Sequence, residues 1–478
     1  MKVVSALCLS LFLFTLGAAR AGAAPSLVYS TSLNFVWDVA VDPAGNAYVL
    51  GKMSSPYGYF VAKLSPSGAL IFQRPLELLG RAPSAIAIDP AGYIYIAGTA
   101  NLTDQGSEAN LAFVAKLSQD TSGVLYETFF AGARDDTEGI DLAVDALGQA
   151  YLHYSANYGQ FVWVAIFDPE GSFTREYAGS LYFLTGMALG PSGDLFTVGW
   201  APPADDPQAY MNPYLGRMDA SSGAVVETLI DDSGTLDLPL DVAATPGDGS
   251  VVVGKKGEGV YVAELGPAGE KIFSRVLDLG AVEIRDVAVT SSGQIVLVGV
   301  MTPDAGNAFV LRLKGGTGEV ISSMSLGGAY AVAVDPGGDA YVAGGSFVAR
   351  IRENRPPVCS GATASPSTIW PPDRRQVRIS TLGVTDPDGD PIILKVTRIF
   401  QDELFTARMA DAGSLGTAKP WVRADRMDNG DGRVYHLYFE ATDSAGASCT
   451  GEVKVCVPIQ SGGTCRDGGA RFDSTVPR

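Results

Sequence analysis

The densest set of oxygen ligands in the sequence is Asp386-Pro387-Asp388-Gly389-Asp390, three carboxylates at alternate positions around a glycine turn. Such spacing lets side chains converge on a hard cation that takes roughly six to eight oxygens, and calcium is the matching ion and the one expected cofactor. An EF-hand loop requires Glu at its twelfth position. Counting from Asp386, that place holds Thr397, so an EF-hand is excluded. Asp443, in a later turn, is the candidate further ligand. The competing reading is that Asp-Pro and Asp-Gly simply make good turns. It applies more strongly to Asp428-Asn429-Gly430-Asp431-Gly432, where Asn-Gly and Asp-Gly are hairpin chemistry.

Acid–base machinery is scarce, since the chain has only two histidines, His153 and His436. His153 occupies a strand position held by Leu50, Ala97 and Val298 in sister segments, and His436 alternates with apolar residues. Both read as packed strand residues. A Ser-His-Asp triad or an imidazole-built metal site therefore lacks parts. No catalytic residue is assigned, and the inventory favours a non-enzyme while leaving carboxylate chemistry open. Recognition chemistry is better supplied. Two long inter-strand segments, Thr99–Leu111 and Trp200–Pro213, carry Asp104, Glu108, Trp200, Asp205, Asp206 and Tyr210, and shorter ones carry Tyr57, Tyr59 and Tyr158. Aromatic plates beside carboxylates suit a glycan or protein ligand, with ordinary solvated loops as the alternative.

These segments are positioned by a repeat. Seven copies of one pattern occur: DVAVDPAGNAYVLG (38–51), SAIAIDPAGYIYIAG (84–98), DLAVDALGQAYLHY (141–154), GMALGPSGDLFTVG (186–199), DVAATPGDGSVVVG (241–254), DVAVTSSGQIVLVG (286–299) and AVAVDPGGDAYVAG (331–344). Each predicts two short alternating strands joined by a four-residue turn such as Asp42-Pro43-Ala44-Gly45, with turn glycines at Gly45, Gly92, Gly148, Gly193, Gly249, Gly293 and Gly338. A third strand follows, as in Phe60–Leu64 and Phe113–Leu117, and then a fourth, as in Leu70–Leu76. Four antiparallel strands recurring about every 45 residues make a propeller blade. One position inside each first strand is invariably alanine: Ala40, Ala87, Ala143, Ala188, Ala243, Ala288 and Ala333. Innermost strands crowd around the axis, where only a small side chain fits.

The last copy has a third strand, Ser346–Ile351, and then runs into Glu353-Asn354-Arg355-Pro356-Pro357, without a fourth. Ser26–Leu33 is a surplus strand that can supply it, closing a seven-bladed ring without an open edge. Through Ile88–Gly98 and Phe113–Leu117 the copies resemble the bacterial SBBP seven-bladed propeller repeat, over about residues 26–352. That resemblance implies the fold and is weak for function. Gly190, Thr245 and Thr290 replace the turn aspartate, which argues against one identical ligand site per blade.

Beyond Pro357 the composition changes, for Cys359, Cys449, Cys456 and Cys465 all lie there. Two disulfides are expected; spacing leaves three connectivities, of which Cys359–Cys449 with Cys456–Cys465 is preferred. Alternating segments at 376–384, 392–400, 433–441 and 448–457 suit a small immunoglobulin-like sandwich. Residues 383–391 and 440–446 resemble cadherin-like and PKD-like modules of secreted bacterial proteins, which is where a calcium role for Asp443 would come from. Ile369-Trp370-Pro371-Pro372 resembles a further bacterial Trp-Pro-Pro module, whose motif tends to continue with Asn and His where this chain has Asp373-Arg374-Arg375.

The 478 residues carry 34 basic and 52 acidic side chains, a net charge of -18, with 46% hydrophobic content. Residues 355–478 hold 15 of each sign, so the whole excess falls on residues 1–354. Nucleic acid and anionic membrane surfaces are therefore excluded as partners. Lys2, an apolar run from Val3 to Leu16, and small residues to Ala23 predict a secretory signal peptide over 1–23. No other stretch is long and apolar enough for a transmembrane anchor. The expected layout is signal peptide 1–23, propeller 24–354, sandwich 355–460 and C-terminal tail 461–478. The function this implies is recognition by a secreted or cell-surface monomer that binds an extracellular glycan or surface protein, with a polysaccharide lyase or hydrolase, or a structural matrix protein, as alternatives.

Overall fold

The computed structural model describes residues 25–477 except 55–57, 77–80, 105–106, 132–136, 157–160, 178–182, 202–211, 220–221, 231–236, 258, 281, 302–307, 405–408 and 445. The expected signal peptide and the candidates Tyr57, Tyr158, Asp205, Asp206 and Tyr210 lie outside the described residues. Among the described residues every regular element is a strand, and no helix is long and apolar enough to cross a membrane. The chain forms two compact units, divided between Arg352 and Glu353.

In the first unit, copies two to six each fold into a four-stranded antiparallel sheet with the strands in sequence order. Copy two is typical: Arg81–Ile88, Ile94–Asp104, Ser107–Leu117 and Val124–Phe130. Copies one and seven share one six-stranded sheet. Its hinge is the strand Ser26–Val41, whose second half pairs with Ala47–Met53 and whose first half pairs with Ala340–Arg352, from Ser26 opposite Arg352 to Ser32 opposite Phe347. The strand Ala340–Arg352 doubles back at Gly345, which has φ +55°, for the Arg350 guanidinium lies 5.2 Å from the Tyr341 ring. Nine residues of straight strand would separate them by roughly 30 Å.

The first strands of successive copies touch in cyclic order, and Ala331–Val334 of the last touches Ser26–Val41 of the first. Tyr341 Oη donates to the Gly45 carbonyl (2.8 Å), Arg350 Nη1 to the Pro66 carbonyl (2.7 Å) and Thr31 Oγ1 to the Gly68 carbonyl (2.8 Å), fastening the last copy to the first. The architecture is a β-propeller. Its core lies between sheets: Tyr95, Ala97 and Val114 of copy two pack with Leu152, Tyr154 and Phe167 of copy three.

Two details depart from the sequence pattern. In copy five the left-handed turn residue is Asp248 (φ +57°), not Gly249. Asp tolerates this conformation, and Gly249 is needed one place later because a Cβ there would lie 2.4 Å from the Leu265 carbonyl. The segment Thr99–Leu111 is not a loop. It is a ribbon extending the hairpin, with Asn101 opposite Asn110 and Asp104 opposite Ser107.

The second unit is also all-β. A four-stranded sheet contains Ser448–Val457, Arg433–Thr442, Ile393–Gln401 and Phe472–Asp473, beside two smaller sheets. The segment expected as one strand over 376–384 breaks into Gln376–Arg378 and Ser380–Leu382, which join different sheets because Ile379 between them turns into the core. Disulfides link Cys359 to Cys449 and Cys456 to Cys465.

Candidate functional site

The first strands of copies one to six each carry a bulge. Register shifts fall between Val36 and Asp38, Pro83 and Ala85, Gly139 and Asp141, Leu184 and Gly186, Pro239 and Asp241, and Ile284 and Asp286. A bulge leaves one residue unpaired and re-aims its side chain. The skipped residues are Trp37, Ser84, Ile140, Thr185, Leu240 and Arg285, and all six, with Tyr330 of the last copy, line one cavity of about 450 Å³. The glycines that close most copies serve this geometry. A Cβ on Gly98, Gly254 or Gly299 would lie 2.2, 2.2 and 2.4 Å from the carbonyls of Ala82, Leu238 and Glu283 beside the bulges. Ala188, Ala243 and Ala288, three of the uniform alanines, line the same cavity.

Trp37 and Tyr330 of the lining belong to an aromatic arc that continues beyond it through Phe35 and Tyr59. Phe35, 50% exposed, lies 6.2 Å from Trp37 and 6.0 Å from Tyr330, and Tyr59 meets Trp37 edge-on at 5.9 Å. Trp37 Nε1 donates to the Ser84 carbonyl at 3.0 Å, which fixes the indole. The Arg285 guanidinium lies 5.9 Å from the Tyr330 ring and pairs with Glu283 at 3.1 Å. Of the candidate loop aromatics, Tyr59 joins this arc, while Trp200 sits half-buried in its strand opposite Phe183 and Pro213.

Four half-buried carboxylates, each from the position after a bulge, line the same cavity: Asp38, Asp141, Asp241 and Asp286. Asp38 accepts the amides of Val39 (2.8 Å) and of Ile86 in the next copy (2.7 Å). Asp241 accepts those of Val242 (2.8 Å) and Val287 (3.1 Å), and Asp286 those of Val287 (2.7 Å) and Val332 (2.7 Å). Asp141 accepts Leu142 N–H at 2.7 Å. Asp38, Asp241 and Asp286 therefore staple neighbouring copies. Burial, opposed by these amides, raises all four above the usual carboxylate range, Asp241 to about 7, and repulsion from neighbouring carboxylates adds to it at Asp38, Asp241 and Asp286. Copy four has Gly186 here because a Cβ would lie 2.5 Å from Asp241 Oδ1.

The turn aspartates do a different job. Asp42 Oδ1 accepts the amides of Ala44 and Asn46, and its Oδ2 accepts Tyr48 Oη (3.2 Å) with Lys63 Nζ 3.6 Å away. Asp89 with Tyr95 and Lys116, and Asp335 with Tyr341 and Arg350, repeat the arrangement. They are consumed in holding the turns.

In the second unit Asp386 Oδ1 accepts the amides of Asp388 (2.8 Å) and Asp390 (3.1 Å), leaving a buried Oδ2 without a hydrogen-bond donor. The Asp388 carboxylate is held by Arg355 through Nε (2.9 Å), Nη2 (2.7 Å) and the backbone amide (2.6 Å). Asp443 caps its own turn through Ala447 N–H (2.9 Å) and accepts Asn354 Nδ2 (2.8 Å). Among the described residues no three acidic, His or Cys side chains come together in a metal-holding group, so Asp386, Asp388, Asp390 and Asp443 are not gathered into one. The donor types suit calcium, but a guanidinium stands where the cation would.

His153 is buried in its strand, and burial, partly opposed by the Leu184 backbone, holds it down to about 4, so it is neutral at pH 7. His436 is bracketed by Glu452 and by Asp467 (3.0 Å). Burial works to raise Asp467, but Lys454 Nζ (2.6 Å), the Gly469 amide and His436 together hold it at about 2.

Sequence reasoning missed the cavity-lining residues because they differ in every copy. The signal was the closing glycine, which marks a bulge on the strand opposite.

No protein-family model and no curated protein matches the sequence. Among solved structures, the WD40 propeller domain of Doa1 is similar over 69% of this chain and 98% of that one, with 12% identity and a TM-score of 0.47. The Dos1 propeller is similar over 69% of this chain and 95% of that one, with 9% identity and a TM-score of 0.43. A gluconolactonase from Xanthomonas campestris covers 68% of this chain and 88% of its own length, with 12% identity and a TM-score of 0.38. Likenesses at these levels carry nothing about activity or ligand.

Proposed function

We propose that this chain is a secreted or cell-surface recognition protein: a seven-bladed propeller of SBBP-type repeats, closed by its N-terminal strand and followed by an immunoglobulin-like sandwich. One observation carries the reading. Seven residues of seven different types, one from each repeat, line a single 450 Å³ cavity, with an aromatic arc of Phe35, Trp37, Tyr59 and Tyr330 at one side. A uniform scaffold with variable residues at one radius is how a binding surface is diversified on a rigid frame. Aromatic faces of this kind take a sugar ring or an apolar protein side chain. The seven copies, the cyclic contact of their first strands and the Tyr341–Gly45 bond support the blade count. The two disulfides support an oxidising, extracellular setting.

The test is a glycan array and a panel of purified extracellular proteins, read with wild type and Trp37→Ala. A ligand whose binding falls at least about tenfold in Trp37→Ala at unchanged melting temperature supports the reading. Release of sugar products from polysaccharide would replace it with an enzymatic one. Calcium belongs to the second unit in this reading, competing with Arg355 for Asp388. Calorimetric titration of the full chain should then show tighter calcium binding in Arg355→Ala than in wild type and none in Asp388→Ala. Identical heats in all three remove calcium from the account.

A further inference from the structure

Consecutive copies both carry the axial aspartate, among the described residues, at one seam, that between copies five and six. Copies two, four and seven have Ala85, Gly186 and Ala331 at that position, so the amides of Val242 and Val332 each meet a single carboxylate. The Val287 amide meets two: Asp286 Oδ1 at 2.7 Å and Asp241 Oδ2 at 3.1 Å. One N–H with a single proton is thus shared by two acceptor oxygens from different side chains. Two ionised carboxylates brought together on one donor repel, and a proton between them converts that repulsion into a hydrogen bond. The shared amide places the Asp241 and Asp286 carboxylates side by side.

Among the described residues nothing nearby neutralises the pair. The other acidic groups facing it across the cavity are Asp141 and Asp38, both of which add negative potential to the ring. The one cation that lines the cavity among the described residues, Arg285, is engaged by Glu283 and stacked on Tyr330 at its edge. The two carboxyls also hold the seams on either side. Asp241 joins copy five to copy six, and Asp286 joins copy six to copy seven through Val332.

We propose that Asp241 and Asp286 share one proton above the Val287 amide, and that this proton locks the inner ring, so that its loss in alkaline solution loosens the seams between copies five, six and seven. The proposal is independent of what the cavity binds. Its sign follows from burial. Both carboxyls titrate higher in the folded chain than in the unfolded one, Asp241 at about 7, so their stabilising effect is present in acid and is lost as pH rises through that value.

The experiment uses the full chain, its Asp286→Asn variant and its Asp241→Asn variant. Asn keeps one amide-accepting oxygen and turns an N–H toward the remaining carboxylate, imitating the protonated pair. Infrared difference spectra against Asp286→Asn should show a protonated carboxyl in wild type at about pH 6 that disappears by about pH 9. Over that span, exchange of the Val287 amide in wild type should accelerate at least about tenfold beyond the intrinsic pH dependence, and in Asp286→Asn it should not. Should Asp286→Asn fail to fold, Asp241→Asn takes its place in both readouts. Absence of the carboxyl band at pH 6, or equal acceleration in wild type and variant, overturns the proposal.

Discussion

The ring closure makes a quantitative demand on Arg350. Its guanidinium, 12% exposed, donates to Asp339 (2.8 Å), Asp335 (3.1 Å) and the Pro66 carbonyl (2.7 Å), and stacks over Tyr341. Both carboxylates are at most 8% exposed. Replacing Arg350 by Met keeps the apolar stem and strands two buried charges, a defect that costs about 3–5 kcal/mol. Arg352 still reaches Asp339 at 3.0 Å, which puts the expectation at the low end, about 3 kcal/mol. A propeller of about 330 residues unfolds with an entropy near 0.7 kcal/mol/K, so the melting temperature should drop by about 4 °C. Scanning calorimetry at neutral pH reads the shift, and limited proteolysis should release the N-terminal strand sooner. Arg74→Ala, on an exposed outer strand beside Phe72, is the control and should stay within about 0.5 kcal/mol of wild type. Adding Asp339→Asn to Arg350→Met should recover part of the loss by removing one stranded charge. A shift below about 1 °C in Arg350→Met would refute the view that buried ion pairing fastens the last copy to the first.

Gly186→Ala should destabilise the propeller by about 1–3 kcal/mol, because its Cβ would lie 2.5 Å from Asp241 Oδ1 and 2.8 Å from that residue's Cα; thermal melting checks it. In the second unit, removing Cys359–Cys449, which spans 90 residues, should cost about 4.6 kcal/mol, against about 2.7 kcal/mol for Cys456–Cys465, which spans 9; urea titration of the two Cys→Ser pairs should preserve that order. Asp411→Ala should cost about 3 kcal/mol, since it takes from the fully buried Arg433 the carboxylate bonded at 2.8 Å and leaves it only Glu403 at 3.5 Å. The double variant Asp411→Leu with Arg433→Met should lose less than Asp411→Ala alone.

The propeller was legible in the sequence because its signals are local and repeated. The period-two alternation, the Asp-Pro-x-Gly turns and the uniform alanine each reflect a constraint within one copy, and seven repetitions multiply a weak signal. The surplus strand Ser26–Leu33 was legible for the same reason. The cavity was not, because its lining is set by bulges, and a bulge shows only in the pairing of two strands. Trp37, Arg285 and Tyr330 precede the recognisable pattern and are three different residue types. The axial aspartates hid as opening residues of strands, since their second partner lies 45 or more residues away. In the second unit, alternation over 376–384 concealed a break between two sheets, because the residue that divides them, Ile379, is as apolar as a strand residue should be.

The strand Ser26–Val41 also imposes an order of events on the growing chain. Its first half is among the earliest described segments to be synthesised, yet its partner Phe347–Arg352 emerges roughly 320 residues later. At about 5–20 residues per second that is a wait of tens of seconds. Throughout it Ser26–Ser32 is an unpaired edge carrying Leu27, Val28 and Tyr29, the kind of segment that recruits foreign strands. Closing so long a loop costs little more entropy than closing a moderate one, because the penalty grows only logarithmically, but contacts this distant in sequence form slowly. Birth order and pairing order are therefore far apart at this strand: it can be seated only once its partner has been made, and its seating records that every copy between has been translated.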